Sequence, residues 1–108
     1  MSEERNVQDF IKELVTSNRV MLFMKGNKFF PQCGFSARAI QLLKGSGADF
    51  DTFDVLSDFE VRQGIKEFAN WPTIPQLYID GEFVGGSDIM MELYQSGELA
   101  QMVTPAAE

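Results

Sequence analysis

The chain has 108 residues, 44% of them hydrophobic and 23% charged, with a formal net charge of -7, one cysteine and no histidine. That length supports one domain with its own core. The negative charge works against a nucleic-acid partner, whose affinity comes mostly from neutralised phosphates, and no apolar run approaches the roughly 20 residues of a bilayer span.

Met1-Ser2-Glu3-Glu4 is acidic and leads straight into an amphipathic pattern, unlike a secretory or organellar leader. The expected location is the cytoplasm, or an organellar matrix or stroma if a leader has been removed. An unpaired cysteine fits such a reducing compartment.

Val7, Phe10, Ile11, Leu14 and Val15 recur at helical spacing behind Glu3 and Glu4, so an amphipathic helix is predicted over about residues 3 to 18. Val20 to Lys25 reads as a buried strand, and Gly26 to Gln32, with Asn27 and Pro31, as a loop. Ala37, Ile40 and Leu43 mark a second helix ending at Gly45, which puts Cys33 where a strand-loop unit enters a helix. Phe50 to Val55 is a strand of weaker pattern. Ser57 with Glu60 reads as a capping box for a third helix striped by Val61, Ile65, Phe68 and Ala69.

Gln76 to Ile79 and Glu82 to Val84 are strands flanking Asp80-Gly81, a pair suited to the positive φ angles of a type I′ hairpin. Gly85-Gly86 closes the hairpin, Ser87 and Asp88 are the expected caps of a fourth helix carrying Ile89, Met90 and Leu93, and Gly97 ends that helix. The tail after Met102 is expected to be loose. This order predicts an α/β fold, a central mixed four-stranded sheet flanked by helices, in one domain with an ordered core from about residue 3 to 103.

All nine Lys and Arg residues lie between Arg5 and Lys66, and the last 42 residues carry seven acids and no base. The plain reading is a solvated acidic half; the functional one is that Lys25, Lys28, Arg38 and Arg62 frame a small-anion site near Cys33. A lone cysteine is by default a small buried hydrophobe. Pro31, Gln32 and Gly34 are loop-formers rather than core residues, however, and a thiol at a helix N-terminus is acidified by free amides and the helix dipole. Cys33 is therefore expected to be reactive, with Lys25 adding positive potential. Ser36 stands where a Cys-x-x-Cys pair would have its second sulfur, so no disulfide can close within the chain.

Cys33-Gly34-Phe35-Ser36 resembles the signature of the monothiol glutaredoxins. Met24-Lys25-Gly26, Arg62-Gln63-Gly64-Ile65-Lys66, Trp71-Pro72-Thr73-Ile74-Pro75 and Gly81-Glu82-Phe83-Val84-Gly85-Gly86-Ser87-Asp88 resemble the same family in the right order. The likeness runs from about residue 7 to 103. The seven residues between Lys25 and Cys33, and Trp71-Pro72, are similar to the cluster-binding branch. Ser87 stands where relatives often carry a cysteine.

The resemblance implies a thioredoxin-like fold and a glutathione groove. Lys25 and Arg62 would meet the glycyl carboxylate, Arg62 through its planar fork, although a plain surface role for Arg62 suits the sequence as well. Cys33, Gly34, Phe35 and Thr73 would line the site, and Ile74, before a cis Pro75, would pair its backbone with the cysteinyl part of the tripeptide. Gly86 and Ser87 would bind a carboxylate at a helix mouth and Asp88 the ammonium, while serving equally as a hairpin exit and helix cap. Phe29 and Phe30 have no role in this reading.

A [2Fe-2S] cluster takes four ligands, usually thiolates, and each chain has one. The resemblance implies that two glutathione molecules supply the rest, giving a cluster-bound homodimer and an apo monomer, with Cys33 as the protein's ligand. The implied function is cluster transfer to iron-sulfur acceptor proteins, with a BolA-like protein as a further partner and with no membrane or nucleic acid involved. The alternative is a glutathione-dependent thiol-disulfide oxidoreductase with Cys33 as monothiol nucleophile. A third reading is an adaptor with an inert thiol, which leaves the cations without a purpose. Cluster carriage is ranked above enzymatic activity.

Overall fold

The computed structural model describes residues 5–105; Glu3 and Glu4, expected at the first helix, lie outside them. Helix α1 spans Val7–Ser17 and begins where Asn6 caps it, the Asn6 side chain accepting from the Asp9 N–H. The chain continues through β1 (Val20–Met24), α2 (Gly34–Gly45), β2 (Asp51–Asp54), a 3-10 turn (Val55–Ser57), α3 (Phe59–Ala69), β3 (Gln76–Ile79), β4 (Glu82–Gly85), α4 (Ser87–Ser96) and α5 (Glu98–Val103). The sheet order is β2-β1-β3-β4, with β1 parallel to β2 and the remaining pairs antiparallel. This is the mixed four-stranded sheet expected from the sequence.

Strand β1 is buried along its whole length because both faces of the sheet are covered. Its side chains alternate: Val20, Leu22 and Met24 join a core with Ile40, Leu43, Leu77, Met90 and Leu99, while Met21 and Phe23 join one with Ile11, Val15, Val61, Ile65 and Tyr78. Asp80 and Gly81 both take positive φ, 54° and 81°, as the predicted hairpin requires.

Three expectations are corrected. Ser57 does not cap α3: its hydroxyl is spent on the Asp54 carbonyl in the 3-10 turn, and Asp58 accepts from the Val61 N–H instead. Ser87 and Asp88 are helical residues of α4, whose cap is Gly86 with no side-chain hydrogen bond. The tail is fixed as far as Thr104, for α5 packs Leu99 and Val103 into the core and Arg19 donates to the carbonyls of Met102, Val103 and Thr104.

Candidate functional site

Strand β1 delivers Lys25 to the rim of the sheet, and the next seven residues return the chain so that α2 starts beside it. The return is built from short-range hydrogen bonds. Gly26, at φ 90°, admits the chain so closely that a Cβ there would lie 2.6 Å from the Gln32 nitrogen. Its N–H is held by Asp54 Oδ1 at 2.9 Å, and the Gln32 N–H donates to the Lys25 carbonyl at the same distance. Asn27 Oδ1 accepts from the N–H groups of both Phe29 and Phe30, an Asx turn. Lys28 is held over the Phe50 ring, so it belongs to the loop's anchorage. Phe29 and Phe30 stand out from the tip, 78% and 70% exposed.

Cys33 is the N-cap of α2 in extended conformation and is partly exposed. Partial burial pushes its thiol up. The backbone N–H groups of Ser36 and Phe35, the Ser36 hydroxyl and the Lys25 ammonium pull it down, and together they prevail, leaving the thiol below its ordinary value. Ser36 is fully buried, and its Oγ accepts from the Lys25 N–H at 3.0 Å, tying β1 to the first turn of α2.

A groove of about 420 Å³ opens beside the thiol, lined by Lys25, Cys33 and Phe35, by Lys66 of α3, and by the segments 71–75 and 86–89. The structure thus brings together Lys25, Cys33, Phe35, Thr73, Ile74, Pro75, Gly86, Ser87 and Asp88 from the predicted set. Gly34 and Arg62 are outside the lining. Lys66, one helical turn after Arg62 on α3, is the cation that reaches the groove, since residues four apart share a helix face. Trp71, Pro72 and Ile89 also line it without having been singled out as ligand residues; the Trp71-Pro72 pair was the available signal.

The Ile74-Pro75 bond is cis. Trp71 packs on Phe83, ring centroids 5.6 Å apart, and its indole approaches Gly86, so the loop before β3 and the mouth of α4 form one wall. At that mouth no side chain caps the helix, which leaves first-turn amides to bind an anion. The lining therefore combines two cations, Lys25 and Lys66, the free amides and the Asp88 carboxylate of the α4 mouth, and a thiol held below its ordinary value. Such an arrangement suits a small zwitterionic molecule with carboxylates and a sulfur.

A model of the glutaredoxin family matches residues 20–84. The chain is 64% identical over 96 residues to an uncharacterized monothiol glutaredoxin ycf64-like protein of Synechocystis sp. (strain ATCC 27184 / PCC 6803 / Kazusa), the match covering 89% of this chain and 90% of that one. It is 54% identical to monothiol glutaredoxin-S17 of Arabidopsis thaliana, over 89% of this chain but 20% of that longer protein. Among solved structures, reduced poplar apo GrxS14 superposes with a TM-score of 0.78 at 52% identity, covering 90% of this chain and 89% of that one. A buckwheat glutaredoxin-glutathione complex superposes at 0.79 with 25% identity, covering 90% and 86%. The family model, these relatives and the single thiol at the mouth of α2 lead to one conclusion: the chain belongs to the glutaredoxin family, as a monothiol member with a thioredoxin-like fold.

Proposed function

We propose that the groove binds glutathione and that two copies of the chain, with two glutathione molecules, carry a [2Fe-2S] cluster and pass it to iron-sulfur acceptor proteins. The observation that carries the reading is a lone thiol, held below its ordinary value, on a groove that is also lined by Lys25, Lys66 and the uncapped mouth of α4. Lys25 and Lys66 suit one carboxylate of the tripeptide, the first-turn amides of α4 the other, and Asp88 the ammonium. Glutathione bound this way would lie with its sulfur beside Cys33. The cluster, as cargo, accepts thiolates, and Cys33 is biased to that form.

With no second cysteine or histidine in the chain, a subunit supplies one soft ligand of the four a two-iron cluster needs. A symmetric pair with borrowed thiolates completes the set, and ligands in exchange with solution make release to an acceptor feasible. Phe35 beside the thiol and Phe29 and Phe30 at the tip of the preceding loop are exposed apolar side chains suited to a facing subunit or a BolA-like partner.

Anaerobic reconstitution with iron, sulfide and glutathione tests this reading. A coloured dimer that loses both colour and dimerisation in Cys33→Ser supports it, and a colourless monomer overturns it.

The lowered thiol favours a second activity at the same groove. Cys33 thiolate attacks the glutathionyl sulfur of a mixed disulfide and expels the substrate thiolate. A second glutathione thiolate then attacks the Cys33-linked glutathione, releasing glutathione disulfide and regenerating Cys33.

A further inference from the structure

Gln76 is a polar side chain with no exposed surface, set at the start of β3 directly behind the groove wall. Both ends of its amide are used. Nε2 donates to the carbonyls of Trp71 and Thr73, each at 3.1 Å, and Oε1 accepts from the Tyr78 hydroxyl at 2.8 Å. Tyr78 is buried against the rings of Phe23, Phe68 and Phe83. Burial pushes its phenol well above the ordinary value, so it remains a neutral donor. With Oε1 committed to Tyr78, the amide nitrogen has one direction left, toward the loop. The chain of donors from Tyr78 through Gln76 thus fastens, from beneath, the segment whose outer surface is the groove.

Peptide geometry carries this to the ligand side. In a trans peptide the C=O of one residue and the N–H of the next point to opposite sides, and the Thr73-Ile74 bond is trans. A Thr73 carbonyl drawn inward to Gln76 therefore sends the Ile74 N–H outward. Ile74 lines the groove at 7% exposure, and among the described residues its N–H meets no protein acceptor. A backbone donor with no partner in the chain, on a residue that lines the groove, is available to an acceptor that arrives from outside the chain.

We propose that Gln76 is a positioning residue that holds the Ile74 N–H toward the groove, where it receives a backbone carbonyl of a bound peptide. This rests on the reading of the groove as a glutathione site, in which that carbonyl belongs to the cysteinyl residue. Gln76 acts through Ile74 and touches neither ligand nor thiol.

The experiment uses the reduced full chain and S-methylglutathione, whose blocked sulfur keeps thiol chemistry out of the measurement. Gln76→Met, close in volume, and Tyr78→Phe are compared with the unaltered protein. Three quantities are read: calorimetric affinity, the residual dipolar coupling of the Ile74 N–H without ligand, which reports that bond's orientation, and Cys33 alkylation against pH. In Gln76→Met the affinity is expected to fall about tenfold, the Ile74 coupling to change, and the alkylation profile to stay. Tyr78→Phe is expected to act in the same direction by about threefold and decides the matter if Gln76→Met does not fold.

An unchanged Ile74 coupling in the folded variant overturns the proposal whatever its thermal stability, as does unchanged affinity. If the unaltered protein does not bind S-methylglutathione, the glutathione reading falls. The coupling then decides alone, a change upholding Gln76 as the residue that aims Ile74 and no change refuting it.

Discussion

Cys33 owes its acidity to neighbours contributed by two elements. The backbone amides of Ser36 and Phe35 and the Ser36 hydroxyl come with the start of α2, and the Lys25 charge comes from the end of β1. Alkylation by iodoacetamide should therefore reach half its maximal rate at a pH below that of an unperturbed thiol. Ser36→Ala should raise this midpoint, and Lys25→Gln should raise it by less, because the ammonium is the weakest of these influences. The linked stability has a definite sign. Because the folded-state thiol is lowered, its contribution is fully present above the unfolded-state value and is lost as pH falls through the folded one. Chemical denaturation across that window should show the increment in the native chain and not in Cys33→Ser.

The position of Cys33 was legible because loop-forming neighbours precede a helical stripe. Which basic residue of α3 serves the groove was not legible, since Arg62 and Lys66 share a face and only the tilt of the helix decides which reaches the lining. Lys66→Ala is expected to weaken glutathione binding about tenfold and Arg62→Ala distinctly less, by calorimetric titration. Equal losses would return Arg62 to the site.

Among the elements, α3 shows how a start signal can be displaced by one residue. Ser57 and Glu60 have the spacing of a capping box, but the Asp54 side chain organises a 3-10 turn that draws the Ser57 hydroxyl backward, so the cap falls to Asp58. Asp58 also pairs with Arg5 at 2.8 Å, and that hydrogen-bonded contact, ahead of the Val61 N–H, holds its carboxyl below the usual range against partial burial. Its stabilising effect should be present at neutral pH and disappear as acid takes the pH through that lowered value. Asp58→Ala should cost about 1 kcal/mol, lowering Tm by about 5 °C, while Ser57→Ala should cost less. Thermal denaturation of the two variants separates the assignments. Helix α3 also meets α1 at Gly64, where a Cβ would lie 2.7 Å from Val7 Cγ1. Gly64→Ala should destabilise by about 1–3 kcal/mol, measured by denaturant titration, without altering the thiol's alkylation profile. The hairpin, by contrast, was fully written in Asp80-Gly81, because its backbone demand is local.

Over the whole molecule, two apolar cores lie on opposite faces of one sheet, and the alternation along β1 belongs to both. A continuous apolar run of that kind announces burial but not which neighbour lies on which side. The last helix was illegible for a related reason. Helix α5 follows α4 directly through Gly97, and it is held by Arg19, a residue more than 80 positions away that spans three carbonyls and pairs with Asp80 at 3.2 Å. Arg19→Met should cost about 2 kcal/mol and speed amide exchange across residues 99–103, leaving exchange in α2 unchanged. Arg19 and Lys25 bracket β1, so this clamp and the thiol stand at opposite ends of a five-residue strand, roughly 16 Å or more apart. Thr104, held by Arg19, therefore lies at the end of β1 remote from the groove, and a tether engineered at that position would start there. Anchoring by that end to a bead, an electrode or another module should present the sulfur outward and unshaded.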